Sequence, residues 1–139
     1  MISTALARRL RDAGLRWAPI SGDAFQIAGP DFEGDVFTVS DMTIEAHVYP
    51  SGTVLGFNGT TEWALDSVAL DDALWLPRED QLRELLRDTF VSLERMPGGI
   101  GTRYIVTTRW GGDEHRDEQD DAAEAYGTAL LRLLEAAGA

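Results

Sequence analysis

Hydrophobic residues recur along this chain with two periods, and the period assigns the elements. Leu6, Leu10 and Ala13 repeat at helical spacing, Ser3 precedes them as an N-cap, and Gly14 follows as a left-handed stop. This predicts a helix over 4–13. Short extended pieces are expected at 15–17 and 24–28, split by Pro19 and the Ser21-Gly22-Asp23 turn signal. Between Asp35 and Asn58 the alternation changes to period two. A turn at Ser51-Gly52 would set Val48 opposite Leu55, Ala46 opposite Phe57, His47 opposite Gly56 and Glu45 opposite Asn58. A preceding strand at 35–40, joined through Asp41-Met42, would place Phe37 beside Ala46 and Val39 beside Ile44. One face of this 35–58 meander is then apolar and the other polar, and a one-residue slip would scramble both.

Thr60 or Thr61 could cap a short helix through Glu62, Trp63 and Leu65, whereas Val68 to Leu76 fits no single period. Pro77 at a first helical position, Glu79 and Asp80 near the positive helix end, and Leu82, Leu85 and Leu86 as the buried stripe predict a helix over 78–88. A hairpin over 90–110 follows, its strands at 90–96 and 103–110 joined by the Gly-rich 97–101 loop. Ala122, Ala125, Tyr126, Ala129, Leu130, Leu133 and Leu134 form the stripe of a last helix over 118–137, ended by Gly138. The expected fold is α+β: a mainly antiparallel sheet of about five to seven strands packed with three helices.

Composition narrows the chemistry more than it reveals any. At 139 residues, 44% hydrophobic and 26% charged, the chain suits one domain over 1–139 with a real core. Without Cys there is no disulfide, thiol catalysis or Cys-ligated metal. All 12 basic residues are Arg, so Schiff-base lysines and the P-loop lysine are absent too. With His47 and His115 the only histidines, no three-histidine metal site forms within one chain, and neither metal nor cofactor is expected. A net charge of −12 disfavours nucleic acid and anionic membranes and suits a basic protein partner. Arg8, Arg9 and Arg11 fall where a signal peptide would need apolar residues, and no run reaches about 18 apolar residues, so the expected compartment is the cytoplasm.

Two groups of residues are candidate sites. On the polar face of the meander, Glu45 and His47 stand two apart, about 7 Å between Cα atoms, close enough for a carboxylate to orient an imidazole. Tyr49 and Asn58 join them, with Thr38 on the same side, as a candidate ligand-binding surface. Residues 113–124 hold seven acids against Arg116, a local charge of −6. Of these, Asp113, Glu114, Asp117, Glu118, Asp120 and Asp121 are candidate contacts for a basic partner, set on the start of the last helix. Residues 1–16 carry four Arg against Asp12, a local +3, so the first helix, in the same chain or in a homodimer, could also receive them. Gly111-Gly112-Asp113-Glu114 and His115-Arg116-Asp117 match fragments of the GGDEF and kinase catalytic-loop signatures, but the residues that complete those signatures are missing.

The stretches Met1–Trp17, Thr53–Val68 and Trp75–Leu86 resemble a set of small actinobacterial proteins labelled "pilus assembly protein CpaE". The ATPases of that name carry a P-loop, and this chain has no G-x-x-x-x-G-K motif, so the resemblance transfers no catalytic residue. The expected activity is therefore non-enzymatic contact with another protein, in the manner of an immunity protein or adaptor. The alternative is a small-molecule binder or enzyme using the polar meander face.

Overall fold

A computed structural model describes residues 1–29, 32, 34–39, 44–49, 52–57, 67–99 and 101–138. The chain is α+β, with three α-helices and nine antiparallel strands among the described residues. In chain order these are α1 (Thr4–Asp12), β1 (Ala24–Ile27), β2 (Phe37–Thr38), β3 (Ile44–Tyr49), β4 (Gly52–Phe57), β5 (Ser67–Ala69), β6 (Ala73–Leu76), α2 (Glu79–Leu86), β7 (Phe90–Gly98), β8 (Gly101–Trp110), β9 (Asp113–Gln119) and α3 (Ala122–Gly138). They gather into two compact units, 1–16 with 77–139, and 17–76, where length alone suggests a single domain.

The first unit builds α1, α2 and α3 with the sheet β7-β8-β9. Helix α1 starts as expected: the Ser3 hydroxyl accepts from the Leu6 N–H at 3.1 Å, and Gly14 follows the helix at φ 110°. Its Leu6, Ala7 and Leu10 are buried. Helix α2 begins at Glu79, one residue later than the expected 78–88 range. Arg78 is the extended N-cap residue and Pro77 sits outside the helix, fully buried, while the Gln81 side chain accepts from the Arg78 N–H at 2.9 Å. Leu82 and Leu86 make the buried stripe.

The last helix is shorter at its start than the sequence suggests, because 113–119 is a strand. Gly111 and Gly112, at φ 63° and 81°, turn the chain back so that β9 pairs with β8 from Trp110↔Asp113 to Tyr104↔Gln119. Asp121 then caps α3, its carboxylate accepting from the Glu124 N–H at 3.0 Å. Helix α3 is buried along much of its length, and its Gly127 faces Leu6 of α1. A Cβ there would lie 2.6 Å from Leu6 Cδ2.

In the second unit, β2-β1-β6 form one sheet and β3-β4-β5 another. Phe25 pairs with both Phe37 and Trp75, and Phe25, Ile27, Val39 and Ala73 form a core against which Trp17 and Phe32 pack. Two features of the expected meander are corrected. β3 and β4 do pair, but with Ala46↔Leu55 and His47↔Val54, two residues from the expected register. A two-residue shift preserves which positions share a face, so the alternation of polar and apolar residues does not distinguish the registers. Phe37–Thr38 pairs with β1 rather than β3, and the third strand beside β4 is Ser67–Ala69. The gain for Phe37 is an aromatic contact, its ring 5.7 Å from Phe25. Val68 to Leu76, aperiodic in sequence, is divided between two sheets with a 3₁₀ turn at Leu70–Asp72. The short helix expected from Thr60 or Thr61 lies outside the described residues.

Candidate functional site

The acidic run is organised by the hairpin that carries it. Along β9 the side chains alternate between the two faces of the sheet. On one face Glu114 meets Arg109 at 3.4 Å and Glu118 meets Arg103 at 3.3 Å, both as exposed cross-strand ion pairs. On the other, Asp117 is 4% exposed and receives Arg132 of α3 in a fork, Nη2–Oδ1 2.8 Å and Nε–Oδ2 3.4 Å. That hydrogen bond and the facing charge hold the Arg132 guanidinium above its ordinary range.

Asp117 is therefore a buried tie between sheet and helix, its carboxylate engaged by Arg132 rather than open to solvent. Asp121 is occupied as the α3 cap, and Glu114 and Glu118 are each matched by an arginine. Asp113 and Asp120 are exposed. The basic first helix does reach the last: Arg9 lies 3.9 Å from Glu135, and the Ser3 N–H donates to Glu124. Both acids lie on α3, and Glu124 is the last of the seven acids in the 113–124 run.

The second group is dispersed. Glu45, His47 and Tyr49 occupy alternate positions of β3, opposite Gly56, Val54 and Gly52. Thr38 belongs to the other sheet of that unit, and Asn58 lies outside the described residues. Among the described residues no cluster of three or more His, Asp or Glu is placed to hold a metal, and no helix is long and apolar enough to cross a membrane.

Sequence reasoning missed the opposite edge of the same sheet. Strand β7 pairs with β8 on one side, and no described residue pairs with the other. Val91, Leu93 and Met96 on it are 45%, 37% and 45% exposed. They account for three of the six large hydrophobic residues exposed among the described residues. A bulge between Phe90 and Ser92 interrupts the ladder at one end. Phe90 itself anchors inward, its ring 5.6 Å from that of Tyr126. Burial pushes the Tyr126 phenol above its ordinary range, partly offset by a hydrogen bond and positive charge from Arg83. The signals available in sequence were the Glu94-Arg95 pair and Pro97 within the strand, residues that suit an edge.

Inside the unit, Thr108 Oγ1, Trp110 Nε1 and His115 Nε2 are shut from solvent and have no hydrogen-bond partner among the described residues. Trp110 and His115 stack with ring centroids 4.0 Å apart. The Gly111-Gly112-Asp113-Glu114 and His115-Arg116-Asp117 matches are thus a hairpin turn and a strand whose Asp ties down Arg132. No family model, curated protein or solved structure matches this chain.

Proposed function

We propose that this protein acts through protein–protein contact, without chemistry of its own, and that β7 is its contact strand. The observation behind this reading is the concentration of Val91, Leu93 and Met96 on an edge strand whose outer side pairs with no described residue. Apolar side chains scattered singly over a surface need no explanation, but three within six residues of an unpaired edge favour a partner that covers them. The net charge of −12 steers encounter with a basic partner, while the exposed acids of β9 are largely matched within the chain. The test is a photo-crosslinking amino acid placed at Leu93 and, separately, at Glu118, in cells of the source organism. A discrete protein adduct from position 93 and none from 118 is the expected result. No adduct at 93, or the same adducts from both edges, would overturn the reading.

A small-molecule site on β3 is the second reading. It draws on Glu45, His47 and Tyr49 at alternate positions, with glycine opposite two of them. Loss of a ligand's binding in His47→Ala, with β7 variants unaffected, would select it.

A further inference from the structure

The protected ends and central charges of β7 specify what can pair with it. The β7–β8 register closes with Gly98 opposite Gly101, a hydrogen-bonded pair in a tight hairpin, and such pairs recur at every second residue. Met96 and Glu94 therefore direct their backbone groups to β8, whereas Leu93 and Arg95 turn theirs outward. The Val91 bulge ends the flat edge on one side. On the other, Pro97 falls at the next outward position and has no N–H to offer. What remains is a window of about four residues, Leu93 to Met96, with both charges at its centre.

A second copy of the chain fits this window poorly. Its Leu-Glu-Arg-Met run matches in charge only when Leu93 faces Met96 of the other copy. That register opposes an outward residue to an inward one and forms no ladder. The registers that restore hydrogen bonds set Glu94 against Glu94, set Arg95 against Arg95, centre on Leu93 and run into the bulge within two residues, or centre on Met96 and set Arg95 against Pro97, which has no N–H to give. The edge is closed to itself and open to a short foreign strand.

Resting on the contact-strand reading above, we infer that β7 recognises a short extended segment of another protein by strand addition. Two apolar residues of that segment cover Leu93 and Met96, and between them an acid meets Arg95 and a base meets Glu94. Opposite charges directly across a ladder are favourable and like charges unfavourable, so the central pair sets specificity while the backbone supplies affinity. A window this small makes a transient contact, with Kd on the order of 100 µM.

The experiment uses fluorescein-labelled decapeptides with the central tetrad Val-Glu-Arg-Val or Val-Glu-Glu-Val, titrated with the full chain and followed by anisotropy. The wild-type protein is expected to prefer the mixed peptide by about tenfold. Glu94→Arg, an exposed substitution that leaves the fold intact, is expected to reverse that preference. Amide exchange at Leu93 and Arg95, and not at Glu94, should slow when the peptide binds. Equal binding of the two peptides by wild type, an unchanged preference in Glu94→Arg, or no anisotropy change up to about 2 mM would overturn strand addition. If the position-93 crosslink persists in that case, β7 remains the contact strand and only this mode of recognition falls. If the crosslink is absent as well, both readings fall.

Discussion

The two edge strands of the β7-β8-β9 sheet handle the same liability in opposite ways. β9 is the more charged in sequence, and it places Asp117 inside against Arg132 and pairs Glu114 and Glu118 across the ladder. β7 is the more apolar, and it leaves Val91, Leu93 and Met96 in solvent. Polarity along a strand therefore does not rank its exposure. The determinant is what stands across from each side chain, and on β9 an arginine stands there for three acids in turn.

The sharpest way to break this contrast is to remove the arginine from the buried tie. Arg132→Ala leaves the Asp117 carboxylate enclosed without its counter-charge and should cost about 3 kcal/mol in urea unfolding. A loss below about 1 kcal/mol would mean that β9 holds no buried charge worth the name. The pH dependence has a definite sign. Arg132 has a raised pKa in the folded state, so its contribution is fully present below the ordinary guanidinium range and lost only as pH rises through the still higher folded value. The guanidinium side of the tie is thus flat across neutral pH.

Next in size is the entry to β7. Arg87 adopts φ 51°, ψ −133° between α2 and β7, a conformation that glycine tolerates far better than arginine. Arg87→Gly should raise stability by about 1–2 kcal/mol, net of glycine's greater freedom in the unfolded chain. An unchanged or lower melting temperature would show that the side chain secures the turn by contacts of its own. A similar gain of about 1 kcal/mol is expected for Thr108→Val, which removes a fully buried hydroxyl without a partner.

Tyr126 supplies a titratable check on the anchoring of Phe90. Its raised pKa makes the stabilisation fully present below the unfolded value of 10.0 and lost as pH rises through the folded value. Stability of the wild type should therefore decline above about pH 10, and Tyr126→Phe, which keeps the ring, should flatten that decline. The smallest effect belongs to the outer face of β9. Glu118→Gln breaks an exposed pair and should change stability by no more than about 0.5 kcal/mol.

Much of this unit was readable from sequence, for identifiable reasons. Ser3, Gly14 and the Leu6–Leu10 stripe carry a full set of helix signals, and each acts within a turn of its neighbour. Leu82 and Leu86 are similar. β9 was unreadable by hydrophobic period because every residue from Asp113 to Gln119 is polar, so a strand there has no apolar face to declare itself. Its one local sign, Gly111-Gly112, was outweighed by the pull of acids toward a helix start. The meander failed differently. Phe37 satisfies the same alternation beside β1 or β3, and only contacts far along the chain choose between them. The edge position of β7 was legible only in part, through Glu94, Arg95 and Pro97, because a strand's rank within a sheet is a property of topology.

Helix α1 reaches its place by touching residues that come much later: Ser3 and Glu124 are 121 positions apart, and Gly127 is bare to admit Leu6. The whole 17–76 unit is synthesised in between as an insertion. During translation that insertion can collapse around Phe25 while α1 trails as an orphaned amphipathic segment, its leucines uncovered until α3 leaves the ribosome. Circular permutation that joins α1 behind α3 through a linker long enough to run back along α3, with new termini in the 77–79 segment, would shorten that wait.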